Sequence, residues 1–239
     1  MEEGFGIVMK RVPEPELMQN LLQVKAYAEA DFSNGDDSFL RRIDEYLFQK
    51  GKKLDSQSLI LDLGCGPGNI TERLSRRWPY SKVFGIDGSK PMLDEGRRRQ
   101  YKQRQFGHLA NISYTFCDLS LIADRSISFE KPVDLVVSNS FLHHLHNPSK
   151  LWKSLKSLTS KGSVHLHRDL RRPFSLDKSL ELQKNYLPNS PPVLVNDYLS
   201  SLHAAFTVEE VKTQLHNQGL DFFSVYELED RYLEVVGIF

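Results

Sequence analysis

The fold class is decided by the stretch Leu59–Asn69, which reads LILDLGCGPGN. Its first part, Leu59–Leu63, is almost entirely apolar and too short for a helix, which is typical of a strand buried on both faces. Glycines at 64, 66 and 68 then predict a sharp turn, because glycine adopts backbone conformations that are closed to other residues. A helical pattern that carries Ile70 and Leu74 on one side follows. Strand, glycine turn and helix in this order mark the place where open α/β sheets bind ligands.

The rest of the chain continues this alternation of strands and helices. Short apolar runs separated by helical patterns of roughly ten to fifteen residues predict βαβ units, and therefore a parallel sheet. The last two runs, joined by the short turn LEDR, predict an antiparallel hairpin. The predicted strands are 58–63, 82–87, 113–117, 133–138, 163–169, 221–227 and 232–238.

Two segments lie outside this alternation. Residues 14–50 have an amphipathic helical pattern, and we expect residues 1–50 to form an N-terminal helical cover. Residues 173–206 contain two helical stretches divided by PNSPP, which predicts an insertion into a domain formed by residues 51–239. The residues spaced for one face of the N-terminal helix are Leu17, Leu21, Val24 and Ala28.

The composition excludes several classes of protein. Of 239 residues, 40% are hydrophobic and 26% are charged, which excludes collagen, disulfide scaffolds and disordered chains. Lys and Arg total 31, as do Asp and Glu, so no net field attracts the chain to nucleic acid or to an anionic membrane. Cys65 and Cys117 lie in apolar runs and are expected to be reduced, which indicates the cytoplasm. No signal-peptide pattern and no apolar run of about 18 residues occurs, so no membrane span is expected.

The glycine turn lacks the features that bind phosphate. A dinucleotide-binding turn needs G-x-G-x-x-G, and the position of its third glycine holds Asn69. Pro67 removes a backbone N–H that a phosphate would use, and no Gly-Lys-Ser/Thr sequence follows. We therefore predict that a ligand approaches this backbone closely without a phosphate being gripped.

Polar residues stand at the carboxyl ends of three further predicted strands. A carboxylate at Asp87 can accept both hydroxyls of a ribose, and capping of the next helix is the alternative. Asp118 lies where an adenine amino group would need an acceptor, and a turn residue is the alternative. Asn139 and Ser140 end the fourth strand, with ordinary loop residues as the alternative. Because neighbouring strands lie about 4.8 Å apart, a single site can include all of these residues.

Together these motifs resemble those of the class I S-adenosylmethionine-dependent methyltransferases. The resemblance covers residues 55–170 and rests on LDLGCGPGN, FGID, FCDL and VDLVVSNSFLHHL. It implies a Rossmann-like α/β fold, with a seven-stranded, mostly parallel sheet, an antiparallel C-terminal strand and helices on both faces. It also implies S-adenosylmethionine as the cofactor.

The resemblance assigns a role to each strand end. It implies that Asp62–Asn69 holds the methionine moiety, Asp87 the ribose and Cys117–Leu119 the adenine. Asn139 and Ser140 are expected to lie near the sulfonium. The residues expected to bind the cofactor are Tyr27, Asp62, Gly64, Cys65, Gly66, Gly68, Asn69, Asp87, Gly88, Met92, Cys117, Asp118, Leu119, Asn139 and Ser140.

Histidines follow the fourth predicted strand, where the methyl acceptor should lie. A hydroxyl or carbon acceptor needs a base within hydrogen-bond reach, whereas an acceptor with a free lone pair needs none. His143 and His144 are candidates for such a base or for a group that orients the acceptor, with packing at the start of a helix as the alternative. No metal is predicted, because no H-E-x-x-H pattern accompanies them. His165 and His167 share one face of the fifth strand and are interpreted as sheet-face histidines.

Basic residues at the end of the fifth predicted strand favour an acidic acceptor. Arg171 and Arg172 follow Asp169, and a guanidinium offers a planar fork suited to carboxylate or phosphate. Our hypothesis is that one of these arginines, with Asp169, binds an acidic or zwitterionic small acceptor, and a solvated turn is the alternative. These three residues join the two histidines above as catalytic candidates. Tyr27 and Phe32 are candidates for rings that shield the sulfonium, with plain aromatic packing as the alternative.

The sequence therefore predicts an S-adenosylmethionine-dependent methyltransferase that acts on a small molecule. A nucleic-acid methyltransferase is one alternative, suggested by the basic run 97–104, although helical spacing spreads those charges and no N-P-P-[YF] sequence follows the fourth strand. A noncatalytic cofactor-binding partner subunit is the other. A nicotinamide dehydrogenase is disfavoured by Pro67 and Asn69. The sequence carries no signal for the oligomeric state.

Overall fold

The computed structural model describes residues 9–15, 17–117 and 129–239. A seven-stranded sheet with the order β3-β2-β1-β4-β5-β7-β6 forms its centre. The strands β1 to β5 run parallel, whereas β7 is antiparallel to both β5 and β6. This arrangement confirms the predicted sheet and its C-terminal hairpin. The strands are β1 (Leu59–Leu63), β2 (Lys82–Asp87), β3 (Ile112–Phe116), β4 (Val133–Asn139), β5 (Thr159–Leu170), β6 (Ser224–Leu228) and β7 (Tyr232–Ile238).

Helices connect the strands, and local sequence signals account for several of their ends. The Ser89 hydroxyl accepts a hydrogen bond from the Met92 N–H and caps the helix after β2. Thr207 and Glu210 form a capping box at the last helix. A short 3₁₀ turn, Leu142–His144, follows β4. The α-helices of the described residues are α1 (Leu21–Glu29), α2 (Ser33–Gln49), α3 (Asn69–Arg77), α4 (Lys90–Arg104), α5 (Ser149–Leu158), α6 (Leu176–Tyr186), α7 (Pro192–Ala204) and α8 (Val208–Asn217).

The hydrophobic core lies on both faces of the sheet. On one face, Phe39 and Ile43 of α2 pack with Leu74 of α3. On the other, Trp152 of α5 packs with Val211 of α8. Full burial of a side chain of this size contributes roughly 1.5–3 kcal/mol. Helices on both faces agree with the prediction, and α2 is part of this core.

Most of the N-terminal segment 14–50 is helical, as its amphipathic pattern indicates, but its first residues are not. The helix α1 begins only at Leu21, where the Asn20 side chain accepts from the N–H groups of Leu22 and Gln23, and the chain breaks again before α2. Pro13 and Pro15 disfavour helix before this cap, because proline lacks an N–H and restricts the residue before it. Of the predicted apolar stripe Val24 is buried, whereas Leu17 and Leu21 are 40% and 72% exposed.

The segment predicted as an insertion, residues 173–206, contains α6 and α7, which follow the carboxyl end of β5; we call these two helices the insertion. Leu182 of α6 and Leu202 of α7 form a small apolar cluster with Leu170 at the end of β5. The insertion therefore packs on the edge of the sheet where the glycine turn lies. Within the described ranges, no helix combines the length and the apolar character that a bilayer span requires.

Leu61, at the centre of β1, should be a strong determinant of stability. Its side chain is fully buried, and replacement by alanine leaves a cavity, so we expect Leu61→Ala to lower the free energy of unfolding by about 2–5 kcal/mol. Tyr80→Ala is the matched control, because that side chain is 82% exposed and should change the value by less than about 0.5 kcal/mol. Urea unfolding followed by tryptophan fluorescence measures both. Equal effects of the two substitutions would contradict the proposed core.

Candidate active site at the carboxyl edge of the sheet

A cavity of about 640 Å3 opens at the carboxyl ends of the central strands. Its walls come from the glycine turn, from the junction of α1 and α2 and from residues 139–147 after β4. The insertion helices and the first residues of β7 complete the walls. The parallel direction of β1, β2 and β4 is what brings these separate loops to one place.

The glycine turn exposes backbone to this cavity. Gly64, Gly66 and Gly68 have φ values of 66°, 52° and 90°, a region that other residues rarely adopt. A side chain at Gly64 would overlap the ring of Phe141, whereas one at Gly66 would meet open space. A ligand can therefore approach the backbone at Gly66 without steric hindrance.

Two buried carboxylates flank this turn. Asp87, at the end of β2, accepts from the Gly66 N–H at 2.8 Å and from the Ser89 N–H at 2.7 Å, and burial raises its pKa. Asp62 accepts from the Thr71 hydroxyl at 2.6 Å, and burial raises its pKa to about 7. Both carboxylates line the cavity. Within the described residues neither has a salt-bridge partner, so a cation in the cavity would stabilise their ionised forms.

The junction of α1 and α2 closes the same side of the cavity. The rings of Tyr27 and Phe32 lie 4.9 Å apart and both line it. Asp36 lines it too, and burial raises the pKa of this carboxyl to about 6 although Arg73 lies 3.2 Å away. Acidic groups and aromatic rings thus share the half of the cavity nearest the glycine turn. Both are attractive to a cationic ligand.

A second polar cluster is centred on Asp169, at the end of β5. Its carboxylate accepts from the Phe141 N–H at 2.8 Å and also from the Leu142 N–H. The same carboxylate lies 2.5 Å from Nδ1 of His143. Asp169 itself does not line the cavity, whereas His143 does. In this arrangement Asp169 holds the 3₁₀ turn and the His143 ring in place.

Glu14 reaches this cluster from the N-terminal segment. Its Oε1 lies 3.4 Å from Nε2 of His143 and 3.3 Å from Nδ1 of His144, and it accepts from the Ser201 hydroxyl at 3.0 Å. Burial opposes protonation of His143, but Asp169 and Glu14 outweigh it and raise its pKa. Burial, together with the charge on His143, lowers the pKa of His144 to about 3.

The same three residues are also close enough to be considered as metal ligands. One ligand atom from each of Glu14, His143 and His144 lies within 4.8 Å of the others. The prediction that no metal is used stays a prediction. Glu14 was missed by the sequence analysis, since nothing local links it to residues more than a hundred positions away.

The structure brings most of the predicted cofactor residues to one cavity. Asp118 and Leu119 lie outside the described residues, and Gly68 and Cys117 do not line the cavity. The predicted residues that line it are Tyr27, Asp62, Gly64, Cys65, Gly66, Asn69, Asp87, Gly88, Met92, Asn139, Ser140, His143 and His144.

The predicted acceptor arginines are held elsewhere. Arg171 lies 2.5 Å from the Glu227 carboxylate. Arg172 lies 2.5 Å from Glu210 and donates to the Ala205 carbonyl at 2.9 Å. Neither guanidinium lines the cavity. The role predicted for them therefore gains no support from their position.

The histidines of β5 are buried in the sheet, as interpreted from the sequence. The rings of His165 and His167 lie 5.7 Å apart, and Nδ1 of His167 is 2.9 Å from the Ser138 hydroxyl. Burial lowers the pKa of both. Neither lines the cavity.

Comparison with known proteins gives a consistent result. Residues 60–162 match the family model described as a methyltransferase domain. A trans-aconitate 2-methyltransferase of Streptomyces coelicolor is 40% identical over 164 residues, which is 64% of this chain and 52% of that protein. One of Methylobacterium nodulans is 34% identical over 123 residues, or 50% of this chain and 42% of that protein. The chain thus spans about half the length of these curated relatives.

A solved structure shares the whole fold. It is that of a SAM-dependent methyltransferase from Aquifex aeolicus, which matches with a TM-score of 0.59 over 92% of this chain and 98% of that one. The sequence identity is 18%. The match therefore supports the seven-stranded arrangement, independently of the sequence motifs.

The environment of His143 predicts a pH dependence of stability. Since its pKa is raised in the folded chain, it stabilises the fold below the unfolded value of about 6.5. That contribution is lost as the pH rises through the folded pKa. Between about pH 6 and pH 9, the free energy of unfolding in urea should therefore fall more for the wild type than for His143→Gln. His108→Gln, at an exposed histidine, should behave like the wild type, and parallel curves for all three proteins would refute the assignment.

Proposed function

We propose that this chain is a class I S-adenosylmethionine-dependent methyltransferase, in keeping with its matches to a methyltransferase domain and to methyltransferase relatives, and that it transfers a methyl group from S-adenosylmethionine to a small acidic acceptor. One observation carries the proposal. Two buried carboxylates, Asp62 and Asp87, which have no salt-bridge partner among the described residues, line the cavity beside an open glycine turn that has no phosphate grip. A cationic nucleoside fits this combination, whereas a pyrophosphate does not.

The residues at the turn fit the parts of the cofactor. In this proposal the carboxylate of Asp87 accepts the ribose hydroxyls, while its bonds to the Gly66 and Ser89 N–H groups keep it in position. The open backbone at Gly66 admits the methionine moiety, and Asp62 supplies negative charge beside it. S-adenosylmethionine, when bound, provides a methyl group on a positively charged sulfur. In this proposal Tyr27 and Phe32, whose rings line the cavity, exclude water from that charge.

An acidic acceptor is favoured by the relatives and by the chemistry. The curated relatives are trans-aconitate 2-methyltransferases. A carboxylate oxygen has a free lone pair and needs no base, so the chain must chiefly align donor and acceptor, and such positioning can supply several kcal/mol of the barrier. His143, fixed by Asp169, then serves to position the acceptor. We also propose a cytoplasmic location, in keeping with the burial of Cys65 and Cys117 and with their not being joined in a disulfide.

The nucleic-acid alternative is not favoured. In the basic run on α4, Arg97 lies 3.1 Å from Asp94 and Arg99 lies 3.0 Å from Glu72. Arg98 pairs with Glu95. These arginines are therefore largely neutralised by acids of α4 and α3, and do not form a free basic surface.

Methyl transfer can be tested directly with organic acids. We expect the protein, given S-adenosylmethionine carrying a labelled methyl group, to label trans-aconitate or a related polycarboxylic acid. The product should be heavier by one CH2 unit in mass spectrometry, and mild base should release the label if an ester has formed. Labelling of RNA alone, or of no acceptor in a metabolite extract, would contradict the proposal.

Asp87 should be needed for cofactor binding. Asp87→Asn keeps the shape of the side chain but removes a charged acceptor, and loss of a hydrogen bond to a charged group weakens affinity roughly 10- to 100-fold. Calorimetry with S-adenosylhomocysteine measures the change. Asp94→Asn is the control, because that carboxylate is 73% exposed and does not line the cavity. Unchanged affinity in Asp87→Asn would remove Asp87 from the binding site.

A further inference from the structure

Arg231 lines the cavity, whereas Arg171 and Arg172, which the sequence suggested as acceptor-binding residues, do not. It immediately precedes β7, and its side chain lines the cavity. Tyr232 pairs with Leu170 at the carboxyl end of β5, and β7 runs antiparallel to β5. The start of β7 is therefore at the same edge of the sheet as the glycine turn.

Two tyrosine rings hold the guanidinium of Arg231. Its central carbon lies 3.3 Å from the ring centre of Tyr186 and 4.6 Å from that of Tyr232. The Tyr186 hydroxyl donates to Asp230 at 2.7 Å, which fixes the first ring. The Arg231 carbonyl accepts from the Arg171 N–H at 2.7 Å, which fixes the backbone. The planar group is thus oriented before any ligand binds, which reduces the entropy lost on binding.

No acid neutralises this guanidinium within the part of the chain that the structure describes. Arg171 and Arg172 each lie 2.5 Å from a glutamate, but no carboxylate of the described residues forms a salt bridge with Arg231. Its Nε is buried without a hydrogen-bond partner. A partly buried cation without an anion is costly, and a ligand anion in the cavity would remove that cost.

We propose that Arg231 binds a carboxylate of the acceptor through its guanidinium fork. The proposal rests on the proposed function and narrows it. The carboxylates nearest the glycine turn suit a cationic cofactor, and the Arg231 end suits an anion. An acceptor methylated on one carboxylate while another is held by Arg231 is a di- or tricarboxylic acid. Tyr186 on α6 makes the insertion part of this acceptor-binding end.

Two substitutions of Arg231 distinguish the effect of its positive charge from that of its planar guanidinium group. With trans-aconitate as the acceptor probe and saturating S-adenosylmethionine, we expect Arg231→Gln to raise KM roughly 10- to 100-fold. Arg231→Lys keeps the charge but loses the fork, so an intermediate KM is expected. The affinity for S-adenosylhomocysteine and the melting temperature should stay close to the wild-type values in both variants. Arg41→Gln, at an exposed arginine of α2, should leave KM unchanged.

Acceptor selectivity distinguishes recognition from a merely structural role. The wild type should prefer trans-aconitate to its monoamides in kcat/KM, and Arg231→Gln should abolish most of that preference. A structural defect would lower both values by the same factor, and that result would overturn the inference. So would a higher KM in Arg171→Gln or Arg172→Gln with an unchanged KM in Arg231→Gln.

The inference and the proposed function fail in different ways. If the wild type methylates polycarboxylic acids and Arg231→Gln does so with the same KM, the function stands and the role of Arg231 is refuted. If the wild type binds S-adenosylhomocysteine but methylates no organic acid, the proposed acceptor class is wrong and the role of Arg231 falls with it.

Discussion

The ring of Phe141 packs against the bare backbone of Gly64, and the assembly of the site depends on this contact. Any side chain at position 64 would overlap that ring. The Phe141 N–H in turn donates to Asp169 at 2.8 Å, so the ends of β1, β4 and β5 hold one another directly. His143 follows in the same short turn and is oriented by the same carboxylate. These contacts tie the residues of the candidate site to the sheet, and a fixed site favours the accurate alignment of two reactants.

The N-terminal segment extends this network across the cavity. The guanidinium of Arg11 donates to the carbonyl oxygens of Ala204, His143 and Leu145, at 2.6, 3.0 and 3.1 Å. Glu14 accepts from Ser201 of α7 and approaches His143. The segment therefore joins the insertion to the turn after β4. The segment is hydrogen-bonded both to α7 and to the turn after β4. Its displacement would therefore disturb the orientation of His143 and the wall of the cavity.

The sequence predicts those parts of the molecule that local chemistry controls. Strand periodicity, the glycine turn and the Ser89 cap give the sheet, its order of elements and most of the cofactor edge, because each depends on neighbouring residues. The acceptor end depends on distant pairing. Arg171 has a suitable guanidinium and follows the expected strand, but it forms an ion pair with Glu227 of β6, which is distant in the sequence. Arg231 and Glu14 enter the cavity only through tertiary packing, so no local pattern marks either of them.

The distribution of charge gives the proposed reaction a physical basis. The opposite charges of a sulfonium and a carboxylate disappear as the methyl group moves from one to the other. Water stabilises the charged reactants more than the less charged transition state, and therefore slows the reaction. In the proposed site, the rings of Tyr27 and Phe32 would exclude water and so reduce this unfavourable effect on the reaction rate.

A cavity that excludes water must itself provide charged groups to bind such charged reactants. Burial raises the pKa of Asp62 to about 7, and a cation bound beside this carboxyl would favour its ionised form. The guanidinium of Arg231 lies against two tyrosine rings, which stabilise its charge. In the proposed reaction, the two ends of the cavity would therefore bind donor and acceptor by opposite charges.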